Sequence, residues 1–247
     1  MSAARVLFGF HAVGVRLKSA PASVVELYAD AARRDARMRQ FIERARAANV
    51  RVIETDGARL AALCGTAGHQ GVAARVQPLE GGRTLDELLD DLADARQPPL
   101  LLALDGVTDP HNLGACLRVA DGAGAHAVIA PKDRAAGINA TVAKVASGAA
   151  ETVPYFMVTN LARTLGGLKE RGIQVIGADG AAEGTLYQAD LRPPSALVLG
   201  AEGPGMRQLT RKTCDRLVRI PMLGAVESLN VSVASGVCLY EARRQRG

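Results

Sequence analysis

From Leu100 onward the chain alternates short apolar runs with stretches in which apolar residues recur every three or four positions. The runs fall at 100–104, 126–130, 153–158, 173–177, 196–199 and 217–220, and the helix-like stretches near 112–122, 139–149, 161–171, 206–214 and 229–245. Runs apolar at consecutive positions belong to strands buried on both faces, and strands that alternate with helices pair in parallel. The pattern predicts an α/β fold with a mainly parallel sheet and helices on both of its faces. It leaves strand order and chain threading open.

The first 77 residues are patterned differently. Val6 to Val13 opens the segment, a helical stretch lies around 34–48, Val50-Arg51-Val52-Ile53 is β-like, and His69 to Val76 alternates as a last strand would. Pro78 and Gly81-Gly82 break this pattern. The acidic stretch Leu85 to Leu92 has apolar residues at helical spacing, and Pro98-Pro99 ends it. The expected organisation is a small N-terminal α/β domain over 1–77, a linker with one short helix over 78–99, and a larger domain over 100–247.

Charge sharpens this division. Lys and Arg outnumber Asp and Glu twelve to six in 1–77, are outnumbered two to six in 78–99, and stand at sixteen to thirteen in 100–247. The N-terminal excess centres on Arg33, Arg34, Arg37 and Arg39, with Arg44, Arg46 and Arg51 following. Such a surface suits phosphate oxygens, and a solvated helix face would carry the same residues. No apolar run approaches the ~18 residues of a membrane span, and no signal-type segment opens the chain, so a cytoplasmic protein without membrane contact is expected. Cys64, Cys116, Cys214 and Cys238 are far apart with no His cluster beside them, which argues for reduced, mostly buried thiols and against a metal site.

Candidate chemistry sits directly after three of the apolar runs, where open α/β sheets build ligand crevices. The first stretch is Asp105-Gly106-Val107-Thr108-Asp109-Pro110-His111-Asn112-Leu113-Gly114, with Arg118 on the helix that follows. Pro110 sets a turn, Asn112 is a possible helix cap, and Arg118 offers a planar five-donor fork to a phosphate. His111 has no acid partner in sequence and fits a turn better than a base. The second stretch is Leu199 to Met206, where Gly200, Gly203 and Gly205 would let backbone approach a flat ligand and Glu202 adds a carboxylate. The third runs from Ile220-Pro221-Met222 to Ser228-Leu229-Asn230, short hydrogen-bonding side chains at a helix start, where capping and ligand contact are compatible. GxGxxG, Walker A, HExxH and nucleophile-elbow patterns are all absent, which argues against a dinucleotide-dependent dehydrogenase, a P-loop enzyme or a zinc protease.

In order and wording these stretches, with the Phe8-Gly9-Phe10-His11-Ala12-Val13 opening and His69-Gln70-Gly71, resemble the SpoU/TrmH family of RNA ribose 2'-O-methyltransferases across essentially the whole chain. The resemblance implies a C-terminal domain tied in a deep trefoil knot, an L30-like N-terminal domain that selects the RNA, and a homodimer. It implies S-adenosylmethionine as cofactor, held by backbone around Gly200, Ile220 and Leu229, and no metal. Asn112, Arg118, Glu202, Ser228 and Asn230 are the implied catalytic positions. The implied substrate is a guanosine ribose in the peptidyl-transferase region of 23S rRNA or its precursor, with a transfer RNA or a non-catalytic role in ribosome assembly as alternatives. Leu229, Val233, Val237 and Tyr240 could serve either the dimer interface or the monomer core. Aromatics are sparse in 1–77 (Phe8, Phe10, Tyr28 and Phe41), which favours recognition of RNA by charge and shape over extended base stacking, with Phe8 and Phe10 in the core.

Overall fold

A computed structural model describes residues 5–77 and 83–247, and the chain divides into two compact units, 1–82 and 83–247. In the first, β1 (Arg5–Phe8) leads through Gly9 into α1 (Phe10–Ser19), followed by β2 (Val24–Asp30), α2 (Ala36–Ala47), β3 (Arg51–Thr55), α3 (Gly57–Cys64) and β4 (Val72–Val76). The sheet order is β1-β4-β2-β3, with β4 antiparallel to both neighbours and β2 parallel to β3. Leu7, Phe10, Val13, Leu27, Met38, Phe41, Ala45 and Val72 form its main core, while Tyr28, Leu60, Cys64 and Ala73 close the other face. Asp35 starts α2 by accepting from the Met38 N–H, and Met38, Phe41 and Ala45 turn inward, which leaves Arg37, Arg39, Arg44 and Arg46 outside.

In the second unit α4 (Leu85–Asp94) precedes β5 (Leu100–Asp105), α5 (Pro110–Gly122), β6 (Ala127–Pro131), α6 (Ala140–Ala146), α7 (Ala149–Thr152) and β7 (Tyr155–Val158). Then come α8 (Leu161–Glu170), β8 (Gln174–Ala178), β9 (Ser195–Gly200), α9 (Gln208–Thr213), β10 (Arg216–Val218) and α10 (Val231–Arg246). The strand order is β10-β8-β9-β5-β6-β7, and all five pairings are parallel. Leu100, Leu102 and Leu104 of β5 pack with α5, α6, α7 and α10 on one face. Leu101 and Ala103 pack with α4 and α8 on the other, so helices cover both faces as the apolar runs require.

The helix expected between the domains is present, and it is no free tether. A Thr84–Glu87 capping box starts α4, Leu88, Leu89 and Leu92 are buried on the sheet, and Asp86 and Asp90 pair with Arg171 at 3.1 and 2.6 Å. Its acidity is thus partly used inside the C-terminal unit, to which residues from Arg83 belong. Residues 78–82, the breaking part of the expected linker, lie outside the described residues. The single helix expected over 139–149 is two, because Ser147 and Gly148 both adopt positive φ (51° and 97°) and end α6. Among the described residues no helix is long and apolar enough to cross a membrane.

Strand order also locates a crevice. From β5 the chain moves outward to β6 and β7, then crosses to place β8, β9 and β10 on the other side of β5. The switch falls between β5 and β9, whose last residues, Asp105 and Gly200, are register partners. In open parallel sheets ligands bind beyond the carboxyl ends of strands at such a switch.

Candidate active site at the sheet switch point

Three loops meet at this crevice. After β5, Gly106 takes a positive φ of 85° and Asp109, the residue before Pro110, accepts from the His111 N–H at 3.0 Å. Asp109 is therefore the cap of α5. Asn112, anticipated as a possible cap, lies inside the first turn, and its amide is free for other partners. After β9 the chain folds back tightly: Ala201 bridges Gly205, and the Gly205 N–H donates to Ala201 at 2.9 Å. Gly203 and Gly205 have φ of 80° and 68°, conformations that disfavour side chains. Gly200 is needed for a different reason than approach to a ligand. A Cβ there would lie 2.0 Å from the Gly205 carbonyl carbon and 2.1 Å from the Met206 nitrogen, so the returning chain itself fills that space.

This turn is held from below by a group to which the sequence pattern assigns no role. Asp105 ends a fully buried strand, and its side chain is 0% exposed. It accepts from the Arg207 backbone N–H at 2.8 Å and from Arg207 Nε at 2.7 Å, with Nη2 at 2.6 Å. A carboxylate closing an all-apolar strand is the signal that could have marked it, because a buried charge without a partner is prohibitively costly. Nothing in sequence singles out Arg207, 102 positions away, as that partner.

Above this anchor Glu202 joins Asn112 and Asn230. Asn112 Nδ2 donates to Glu202 Oε1 at 3.3 Å, the Val231 N–H donates to the same oxygen at 3.3 Å, and Asn230 Nδ2 donates both to it and to Asn112 Oδ1, the latter at 2.9 Å. Asn230 is also the cap of α10, its Oδ1 accepting from Ser232 N at 2.9 Å and Oγ at 2.6 Å. One side chain thus fixes a helix start and a carboxylate together. Ser228 lies two residues before the cap, exposed and in irregular chain, so it does not cap α10.

Beside the cluster lies a cleft of about 510 Å³ whose lining includes Gly200, Glu202, Ile220, Ser228 and Leu229. Leu199, Ile220, Met222 and Leu229 give it apolar walls, and Glu202 and Glu227 give it carboxylates, while Asp179 is neutralised by Arg211 at 2.6 Å. Of the eight positions expected, the structure gathers seven around this cleft and its hydrogen-bonded cluster. Arg118 is the exception. It lies six residues, about 120° of helical turn, beyond Asn112, is exposed, and is not part of the cleft lining. No hydrogen bond or ion pair joins Arg118 to the cluster among the described residues. Exposed Glu227 and His111 take no part in the cluster either.

Among the described residues no group of three or more His, Cys, Asp or Glu side chains could hold a metal ion. Burial pushes the thiols up, to about 11 for Cys64, Cys116 and Cys214 and about 12 for Cys238. No activated sulfur nucleophile is present among them.

Residues 99–240 match the model of the SpoU rRNA methylase family, and residues 6–81 match that of an RNA 2'-O ribose methyltransferase substrate-binding domain. The 23S rRNA (guanosine-2'-O-)-methyltransferase RlmB of Ralstonia nicotianae is 64% identical over 246 residues, covering 100% of this chain and 98% of that protein. RlmB of Neisseria meningitidis serogroup B is 55% identical, covering 100% and 97%. A crystal structure of an RNA 2'-O ribose methyltransferase superposes with a TM-score of 0.79 at 28% identity, covering 98% of this chain and 88% of that one. The SpoU methyltransferase AviRb of Streptomyces viridochromogenes, solved with AdoMet, has a TM-score of 0.80 at 24% identity over 98% and 90%, a likeness of fold. With more than half of its length matched and relatives this similar along its whole extent, the chain belongs to the SpoU rRNA methylase family.

Proposed function

We propose that the protein transfers a methyl group from S-adenosylmethionine to the ribose 2'-OH of one guanosine in the peptidyl-transferase region of 23S rRNA, acting as a homodimer. The observation that carries this is the Asn112–Glu202–Asn230 cluster at the cleft beside β9, within a chain so similar to RlmB proteins. A binding module has no need of three loops converging on one carboxylate oxygen.

The cleft suits the cofactor. Its volume of about 510 Å³ lies in the ~300–1,000 Å³ range of small-molecule sites. Its apolar walls suit a purine, and its two carboxylates favour a cation. When bound, S-adenosylmethionine supplies a sulfonium methyl that is already electrophilic. The chain's remaining task is alignment, bringing the 2'-oxygen in line at roughly 3–3.5 Å. The two asparagines and the Val231 N–H hold Glu202 in one rotamer, and Ser228 presents a hydroxyl to the cleft. Exposed Arg118 is assigned to the phosphate beside the target ribose, where its charge lowers the cost of alkoxide formation as the 2'-OH proton passes to solvent water. Replacing Arg118 with Lys tests this role. A loss of about tenfold or more in kcat/KM for RNA with cofactor affinity intact is expected, and near-full activity would rule out a bidentate clamp.

Exposed Val233 and Tyr240 on α10, with Leu223 and Val226 in the loop before it, support the dimer, since they present apolar surface on the elements that carry Asn230. The knot expected for the family is likewise proposed here. Return of the chain from edge strand β10 to α10, which packs on α5 and β9, is consistent with it. The N-terminal unit is proposed to bind the RNA substrate.

The decisive experiment is transfer from labelled S-adenosylmethionine to 23S rRNA from cells lacking the gene, with ribose methylation mapped to the nucleotide. A single new 2'-O-methylguanosine in the peptidyl-transferase region is expected. Cofactor binding without transfer to 23S rRNA would point to a transfer RNA or a precursor instead, and absence of both would leave a non-catalytic RNA-binding protein.

A further inference from the structure

The N-terminal unit carries a groove that the methyl-transfer site does not use. Phe10, His11, Gly14, Val15, Leu17 and Lys18 form one face of α1, and Arg37, Phe41 and Arg44 form one face of α2. The two faces enclose about 480 Å³. Their spacings, i, i+4 and i+7 on α2, put every one of these side chains on the seam between the helices. Gly14 lets the helices close at the bottom, where a Cβ would sit 3.4 Å from the Phe41 ring. The floor is apolar, with Phe10 and Phe41 packed edge to face at 5.1 Å. The rim is basic, and Lys18, Arg37 and Arg44 have no ion-pair partner among the described residues.

One of these guanidiniums is held in place. Arg37 lies 4.4 Å over the centre of the Phe10 ring, and Arg33 lies 4.9 Å from the same ring while pairing with Asp35 at 2.7 Å. Attraction to the ring holds Arg37 at the groove without consuming its hydrogen-bond donors. An apolar slot with a flat guanidinium at its edge and two further cations on the rim matches one ligand chemistry, a planar base flanked by phosphates. In a duplex the base faces are stacked away, so only an unpaired nucleotide can enter.

Resting on the proposal that this unit binds RNA, we infer that the α1–α2 groove receives an unpaired nucleotide of a single-stranded RNA segment. The base lies over Val15, Leu17 and Phe41 and against the Arg37 plane, and Lys18, Arg37 and Arg44 take the adjoining phosphates. This differs from recognition by charge alone, because the same helix carries Arg39 and Arg46, also exposed but outside the groove.

That contrast supplies the test. Using the full chain, binding of a labelled twelve-nucleotide single-stranded RNA of mixed sequence, and of its duplex, is measured across a salt series. The double variant Arg37→Ala/Arg44→Ala is compared with Arg39→Ala/Arg46→Ala, which removes the same charge from the same helix, and with Val15→Phe, which fills the groove and leaves the charges. All five positions are at the surface or half-buried, and thermal melting confirms folding. The groove double and Val15→Phe are expected to weaken single-strand binding about tenfold, with the control double within about threefold. The salt slope of the groove double should fall by about 1.4, the value for two phosphate contacts on a single strand. Equal losses in the two doubles, unchanged binding by Val15→Phe, or wild-type affinity for duplex equal to that for single strand would overturn the groove. Methyl transfer to 23S rRNA measured in parallel separates the two proposals. Groove variants should raise KM for RNA and leave kcat and cofactor affinity unchanged, whereas a wild-type protein that methylates nothing in 23S rRNA would refute that substrate while the oligonucleotide comparison still decides the groove.

Discussion

The pair Asp105–Arg207 offers the sharpest test of how the site is built, because its two halves should fail unequally. Asp105 is fully buried and Arg207 is about half exposed, its side chain at 45%. In Asp105→Asn the freed guanidinium returns to water and the carboxamide oxygen still accepts the Arg207 backbone N–H, so the loss is mainly one charge-assisted interaction, about 2 kcal/mol. In Arg207→Ala the carboxylate stays behind in the core with that N–H as its remaining bond to residue 207. Breaking a buried pair costs about 3–5 kcal/mol, and access of water through the opened surface places this one near 3 kcal/mol. For a unit of this size about 2–4 °C accompanies each kcal/mol, so Tm of the C-terminal transition should fall by about 4–8 °C in Asp105→Asn and about 6–12 °C in Arg207→Ala. The double variant should cost less than the sum of the two. The turn that Arg207 anchors carries Glu202, so cofactor affinity should drop in both variants by about tenfold or more, read by calorimetry below the first transition. A larger cost in Asp105→Asn than in Arg207→Ala would refute the buried-charge account. Lost stability with unchanged cofactor affinity would refute the link from anchor to site.

Further predictions follow from the cluster, the sheet and the thiols. Asp at position 230 retains a good helix cap but removes the donor to Glu202 and sets a carboxylate against it, so Asn230→Asp should fold with a Tm lowered by a few degrees and lose cofactor binding and methyl transfer; retained binding would show that the amide donors are dispensable. His126 Nδ1 accepts the Leu100 N–H at 3.0 Å, and burial holds its pKa below the usual 6.5. Its contribution is therefore complete above pH ~6.5 and is lost as pH falls through the depressed value, so urea midpoints of wild type should fall between pH 7.5 and 5.5 more than those of His126→Asn, which keeps an acceptor that does not titrate; parallel pH profiles would contradict this. With thiol pKa values of about 11 and 12, at most about one thiol in a thousand is ionised at pH 8. Ellman's reagent should thus react with native protein far more slowly than with free cysteine, and a full equivalent reacting as fast would refute the burial.

The parts of the fold legible in sequence are those whose environment is uniform. Leu100–Asp105 and Ser195–Gly200 are buried on both faces, and an unbroken apolar run is what that environment selects. Val24–Asp30 is not legible as a strand, because Glu26 sits mid-strand, bonded to Tyr28 Oη at 2.6 Å and paired with Arg51 and Arg75, and the alternation is blurred. The split at Ser147 escaped because a non-glycine residue in the left-handed region leaves no compositional trace. Placement of β8 to β10 across β5 is set by non-local packing and so could not be read. At the site, the family resemblance pointed to Asn112, Glu202 and Asn230, while the sequence carried neither the reason for Gly200 nor the distance of Arg118 from the cleft.

The cluster's hydrogen bonds have a consequence for when the site comes into being. Asn112 meets Glu202 across 90 residues and Asn230 across 118. Pairings of this sequence range close large loops and fold slowly. The N-terminal unit, by contrast, closes its cores within residues 7–76. On a growing chain the basic face of α2 is therefore complete while Glu202 still lacks both asparagines. The cluster is therefore complete only once α10 has docked and brought Asn230 to Glu202 and Asn112.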